Sequence, residues 1–445
     1  MSTESGVSSI AVQQGSQGTT RRQGRGGLRS MVWRRLRRWG LVPSGQPDLL
    51  GEDDAATDLV LSQQVVVFFA DPPGALYQLE QWFETFRAVD DSLGLVIVLQ
   101  DSRTARAVRA AAPDLKVLVL ARPSTFEAVV ERGAPRLVLY VNHNPANFTV
   151  LRLAGLVHVS LLHGDSDKAV SASNQLKGYD YAFVAGQAAV DRIGRELVGY
   201  DAEVRCLVVG RPQVDAQRTT ALSSEVVPRE VSGDGPITVL YAPTWEGAQP
   251  SVCYGSVVSH GEALVRALLD DGGFHVVYRP HPLTGARAPE HAAADRSIRE
   301  IVQRAGAPHR TDAGVNLGVS FAAADVLISD VSGVAVDWLA TGRPQLMTVP
   351  HDPKVRLHET PLRAAVPGLT ADDAASAGDA IRSLVADGAW RSEQTGLRGY
   401  YLGDVSPGAA TRRFVEACVT VVADREQARA ARSPVSNRQN APHGA

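Results

Sequence analysis

From residue 64 onward, short apolar runs alternate with amphipathic stretches along the chain. The runs at 64–70, 94–100, 116–121, 136–141, 157–162, 181–185 and 205–210 are rich in Val, Leu and Ile. They are continuous rather than alternating, which predicts strands buried on both faces. Helix-period segments lie between them at 74–88, 103–112, 124–132 and 187–198. A βαβα order of this kind predicts a parallel sheet covered by helices. Residues 217–235 interrupt it with a polar Ser/Gly/Pro stretch, a boundary signal. The pattern then restarts with strands at 237–242, 274–279, 325–329 and 344–349, and helices near 259–270, 288–304, 332–341 and 371–386. A last apolar helix, about 407–422, is expected to pack back across the boundary.

The fold class expected is therefore α/β, with two Rossmann-like parallel-sheet domains facing a cleft, the GT-B-like architecture. The domains would span 58–222 and 236–423. Residues 1–57 read as a separate segment: a disordered start, a basic stretch at 21–42 and a linker at 43–57. Residues 424–445 read as a disordered tail. The basic stretch carries eight arginines, with Trp33, Leu36 and Trp39 at helical spacing. Two readings fit it: a solvated basic tail, or a short amphipathic helix on an anionic membrane surface.

Composition narrows the function classes. The chain has 445 residues, 44% of them hydrophobic, enough for two full cores. A net charge of −3 gives no reason to expect a nucleic-acid partner. Cys206, Cys253 and Cys418 lie far apart without metal-ligand spacing, so they read as small hydrophobes in a reducing compartment. No apolar run reaches the length of a membrane span, and no signal peptide is read at the N-terminus. The expected location is cytoplasmic.

Ligands of open parallel sheets bind beyond the carboxyl ends of the strands. The residues that follow the strands are His163-Gly164-Asp165-Ser166-Asp167-Lys168, Arg211-Pro212, Pro243-Thr244-Trp245, Arg279-Pro280-His281-Pro282, Asp330-Val331-Ser332-Gly333 and Pro350-His351-Asp352. Titratable and phosphate-binding types recur at these ends. Gly164 permits a sharp turn beside His163. Two prolines stiffen the backbone around His281. Arg279 suits a diphosphate or a paired carboxylate. Asp330 and Ser332 are candidate helix caps, and a helix start also attracts phosphate. Asp337 is expected one to two turns into that helix on its solvent or cleft side. Lys168 reads either as a phosphate contact or as a solvated loop lysine. Thr244 and Trp245 read either as a hydrogen bond and a stacking surface for a base or, the default for a tryptophan, as buried packing. His158 and His275 fall within strands and read as packing residues. No metal site and no cofactor are expected.

The ordered set HG-x-x-x-K, YAPTW, R-P-H-P and D-x-S-G-x-x-x-D, over roughly residues 150–355, resembles the CDP-glycerol glycerophosphotransferase family of teichoic acid polymerases and primases. Two departures stand out. The segment between the glycine and the lysine is the acidic Asp165-Ser166-Asp167, and Gly333 stands where a second serine is common. The resemblance implies a GT-B fold, CDP-glycerol as donor, CMP as leaving group and peripheral membrane attachment. It makes His163 and His281 the catalytic candidates. Arg279, Thr244, Trp245, Asp330, Ser332, Gly333 and Asp337 become donor-binding candidates. Gly164, Lys168, Arg211 and Asp352 are further candidates. The acceptor implied is a hydroxyl of a lipid-linked polyol phosphate. Which histidine is the base stays open, as does the polyol. Two alternatives stand beside this reading: a GT-B glycosyltransferase using a nucleotide sugar, and a non-catalytic module that binds an envelope polymer.

Overall fold

A computed structural model describes residues 48–162, 166–168, 172–223, 235–247, 252–314 and 316–432. The basic stretch 21–42, together with His163, Gly164 and Asp165, lies outside the described residues.

Two all-parallel sheets organise the chain. The first has seven strands in the order β3-β2-β1-β4-β5-β6-β7. In chain order these are β1 (Val65–Phe69), β2 (Leu95–Leu99), β3 (Val117–Val119), β4 (Leu137–Tyr140), β5 (Val157–Ser160), β6 (Tyr181–Val184) and β7 (Cys206–Val208). The second has six strands in the order β10-β9-β8-β11-β12-β13. These are β8 (Ile237–Ala242), β9 (Phe274–Tyr278), β10 (Arg310–Thr311), β11 (Val326–Ser329), β12 (Gln345–Thr348) and β13 (Gly368–Leu369). Each central strand is buried along its length, as in Val65–Phe69 and Leu95–Leu99, because helices cover both faces.

The strand order reverses between β1 and β4 in the first sheet, and between β8 and β11 in the second. Chain direction diverges at such a point and leaves a crevice beyond the carboxyl ends. The registers Val65↔Leu137 and Val239↔Val326 set the two crevices.

The helix Ala409–Arg432 returns to the first sheet. Phe414, Cys418, Val421 and Val422 enter the core built by Val65, Phe86 and Leu99. The Phe414 ring lies 5.5 Å from Trp82 and 5.3 Å from Phe183. Burying a large apolar side chain contributes about 1.5–3 kcal/mol, so this helix is part of the first sheet's core. Two glycines let the halves approach. At Gly318 a Cβ would overlap the Gln217 carbonyl oxygen, and at Gly186 it would overlap the Tyr400 carbonyl oxygen.

Four expectations need correction. Residues 48–57 are not linker: Glu52–Ala55 is helical, and buried Asp53 accepts from the Ala121 and Arg122 amides. The tail read from 424 onward begins too early, since the last helix continues to Arg432. The polar break at 217–235 also begins too early, because the helix Pro212–Ser223 occupies its first residues. The single helix over 74–88 is two, Tyr77–Glu80 and Phe83–Leu93. The helix Trp390–Leu402 was not foreseen. Among the described residues, no helix is long and apolar enough to cross a membrane.

Candidate active site

A cleft of about 920 Å³ is lined by segments beyond the strands of both sheets. From the second sheet come Thr244 and Trp245 after β8, Arg279 and His281 after β9, and Ser332, Gly333 and Asp337 after β11. From the first come Lys168 after β5 and Arg211 after β7. Nine of the sequence-read candidates thus share one cavity.

His281 is half-buried between two rings. Tyr77 meets it edge-on at 5.7 Å and Trp245 stacks on it at 6.2 Å. Its Nδ1 accepts from the Leu283 amide at 3.1 Å. A ring nitrogen that accepts carries no proton, so the neutral imidazole holds its hydrogen on Nε2. The stiff Pro280-His281-Pro282 loop is held from behind by Glu246, which accepts from the amides of Gly285, Arg287 and Ala288. Those bonds keep the Glu246 carboxyl ionised even though burial opposes it.

Arg279 faces the cleft with a carboxylate at its back. Its Nη1 donates to Asp312 at 2.5 Å, and Nη2 donates to the Gly314 carbonyl. The paired-carboxylate reading of this arginine is the one observed, and the side chain also lines the cleft. Ser332 caps the helix Gly333–Trp338: its Oγ accepts from the Ala335 amide. Lys168 donates to Thr244 Oγ1 at 2.9 Å and lies over the Tyr254 ring. It is no solvated loop lysine; burial pushes its pKa down to about 8.

Two carboxylates, Asp330 and Asp352, depart from their expected places. Asp330 is fully buried and does not line the cleft; it accepts from the Thr244 amide at 2.6 Å and from Thr348. It holds the Thr244 loop to the neighbouring strand rather than meeting a ligand. The cap is Ser332, not Asp330. Asp337 lies on the cleft side of its helix, one of the two sides expected, and is buried there in a pair with Arg211 at 2.8 Å. Asp352 is exposed in the loop after β12, accepts from the Lys354 amide, and lies away from the cleft.

Sequence reasoning missed Tyr77, Gln78, Asn142, His143, Gln213 and Asn316, which also line the cleft. For Asn142 and His143 a signal was available: they follow β4 directly, where the strand-end rule applies. His158, read as packing, is buried in β5 with its Nδ1 against the Tyr140 hydroxyl at 2.9 Å.

Two doubly wound sheets around one cleft define a GT-B-like α/β protein. Solved structures share this fold. The wall teichoic acid polymerase TagF superposes with a TM-score of 0.51 at 15% identity, covering 90% of this chain and 97% of that one. A variant of it soaked with CDPG gives 0.54 at 14% identity, covering 91% and 100%. The UDP-GlcNAc 2-epimerase of Neisseria meningitidis, bound to UDP-GlcNAc, gives 0.53 at 12% identity, covering 80% and 99%. No curated protein matches the sequence. Residues 141–417 match the family model for CDP-Glycerol:Poly(glycerophosphate) glycerophosphotransferase, and the chain belongs to that family.

Proposed function

We propose that the protein transfers glycerol phosphate, or a related polyol phosphate, from CDP-glycerol to a hydroxyl of a lipid-linked or poly(glycerol phosphate) envelope polymer. The observation that carries this reading is the grouping of Arg279, His281 and Ser332 around one cleft, in a chain of the glycerophosphotransferase family. The donor diphosphate lies between Arg279 and the helix start at Ser332, with Trp245 available to the cytosine. The acceptor hydroxyl attacks the β-phosphorus. The bond from that phosphorus to the bridging oxygen breaks, and CMP leaves with the electron pair.

The proton of the attacking hydroxyl passes to a base, the role given to His163. The tautomer of His281 favours the complementary role. Its Nε2–H donates to a phosphoryl oxygen while Nδ1 is occupied by the Leu283 amide. Positioning and electrostatics supply most of the acceleration in such transfers. A lipid-linked acceptor implies a membrane surface, for which residues 21–42 offer arginines and tryptophans.

A donor panel tests the reading. The protein is incubated with CDP-glycerol, CDP-ribitol and UDP-sugars, each with a poly(glycerol phosphate) acceptor, and the released nucleotide is identified. CMP release supports the proposal; UDP release from a UDP-sugar, with no CMP, replaces it with glycosyl transfer.

A further inference from the structure

The second sheet's reversal crevice holds the donor candidates after β8 and β11. In the first sheet the corresponding segments are Asp71, beyond β1, and Asn142-His143-Asn144, beyond β4. The reaction scheme above gives them no part.

This loop is built to hold its middle residue still. Asn142 and Asn144 both donate to Asp71 Oδ2, at 2.8 and 2.7 Å. Asn142 also donates to Gln78 Oε1 at 2.6 Å, and its carbonyl accepts from Asn147 at 2.8 Å. Asn147 in turn donates to the Tyr179 hydroxyl. Both neighbours of His143 are thus pinned. Gln78 follows Tyr77, whose ring meets His281, so one short helix touches both His281 and Asn142, the residue before His143. His143, Gln78, Tyr77 and His281 line the same cleft.

His143 itself is unpaired. Both ring nitrogens are buried, and among the described residues neither has a hydrogen-bond partner. Buried polar atoms are nearly always paired, so two orphans on one side chain at a cleft wall mark a place for a ligand. Burial pushes the imidazole pKa below its usual value, which keeps the ring neutral. A neutral imidazole presents one N–H donor and one bare acceptor. An alcohol hydroxyl can donate to the bare nitrogen or accept from the N–H, so it suits either one; an ionised phosphate only accepts.

We propose that His143, fixed between Asn142 and Asn144 at the first sheet's reversal point, is a binding residue for a hydroxyl group of the polyol substrate. The assignment rests on the polyol phosphate transferase reading. The acceptor chain and the glycerol of the donor both carry such a hydroxyl, and the test separates them.

The full-length protein and its His143→Gln and His143→Leu variants are compared by calorimetry with three probes: CMP, CDP-glycerol and a soluble oligo(glycerol phosphate). Both variants should melt close to the wild type, because among the described residues no hydrogen bond is lost and only the ring contact to Tyr179 is changed. CMP affinity should be unchanged. Affinity for one polyol-bearing probe should fall about tenfold: the oligomer if the hydroxyl is the acceptor's, CDP-glycerol if it is the donor's. Unchanged affinity for both overturns the proposal and leaves the transferase reading standing. If the wild type binds neither polyol probe, the transferase reading falls instead. Free glycerol titrated into protein carrying ¹³C-labelled histidine then decides on the subsite. A shift of the His143 Cε1–H signal, identified by its loss in His143→Gln, upholds it; no shift overturns it.

Discussion

Arg211, just beyond the last strand of the first sheet, donates to Asp337 in the second half's helix Gly333–Trp338 at 2.8 Å, and both side chains are buried. Gln217 adds a longer contact to the same carboxylate. The pair lies in the wall of the cleft and ties one sheet's strand end to the helix that opens beside the other sheet's crevice. Its charges compensate each other out of water, so neither tolerates loss of its partner.

Arg211→Ala therefore strands a buried carboxylate and should cost about 3–5 kcal/mol of stability. The double variant Arg211→Leu with Asp337→Leu should recover most of it, since an apolar pair of similar volume carries no desolvation penalty. Denaturant midpoints of the two variants and the wild type check this; a double variant no more stable than Arg211→Ala would contradict it.

His281→Ala and His163→Ala should each lower CMP release by roughly 10²–10⁴-fold with an unchanged melting midpoint, the span expected of proton-transfer groups. Asparagine can replace Nδ1 as the acceptor for the Leu283 amide but not the Nε2–H, so His281→Asn should restore little. Near-normal turnover in a folded variant would make that histidine structural.

Arg279→Ala should weaken CDP-glycerol binding by about 1.5–3 kcal/mol, the range for a hydrogen bond to a charged group. Arg279→Lys should not restore it, because Asp312 and Gly314 hold a planar fork that an ammonium cannot fill. Titration calorimetry gives the answer directly.

Lys168 ties stability to pH. Its folded pKa is about 8, against an ordinary 10.5. Between these values the unfolded chain holds a proton that the folded chain has released, so this residue's contribution to stability rises with pH. Below about pH 8 the folded state carries the full cost of burying the ammonium. Lys168→Met removes that cost. The melting midpoint of the wild type should thus gain on that of Lys168→Met as pH is raised from about 7 to about 10. A constant difference across the series would rule the titration out.

Deleting residues 1–45 should abolish sedimentation with anionic vesicles while leaving turnover on a soluble acceptor nearly unchanged. Each basic residue near such a surface contributes about 1 kcal/mol. Salt should weaken the full-length protein's binding without removing it, because the tryptophans are not screened. Equal binding by both proteins would move the membrane contact onto the folded part.

The strands were legible because burial on both faces leaves a composition mark: Val65–Phe69 and Val326–Ser329 are apolar throughout apart from the terminal serine. The two-residue edge strands Arg310–Thr311 and Gly368–Leu369 are too short to leave one. The acidic turn Glu52–Ala55 has no apolar period, so it read as linker, although Asp53 is held by backbone amides far along the chain. At the site, position beyond a strand found the cleft residues but not the direction of their side chains. Asp330 and Ser332 are two residues apart, yet Asp330 turns under the Thr244 loop while Ser332 caps the helix that starts at the cleft wall. His143 was legible by its position just beyond β4, but its ring nitrogens, without partners among the described residues, leave no mark in the local sequence.

The return of the helix Ala409–Arg432 to the first sheet has a consequence for how the protein is made. The last strand of that sheet leaves the ribosome about 200 residues before the helix that closes its core. At about 5–20 residues per second, the interval is roughly 10–40 seconds. During it, Trp82, Phe86 and Phe183 await Phe414 and Cys418, and an apolar surface stays open on the nascent chain. The amino-terminal half therefore does not mature as an independent unit during synthesis. A chain stopped near residue 400 would retain every strand of both sheets and still present that surface, making it a client for chaperones rather than a smaller working enzyme.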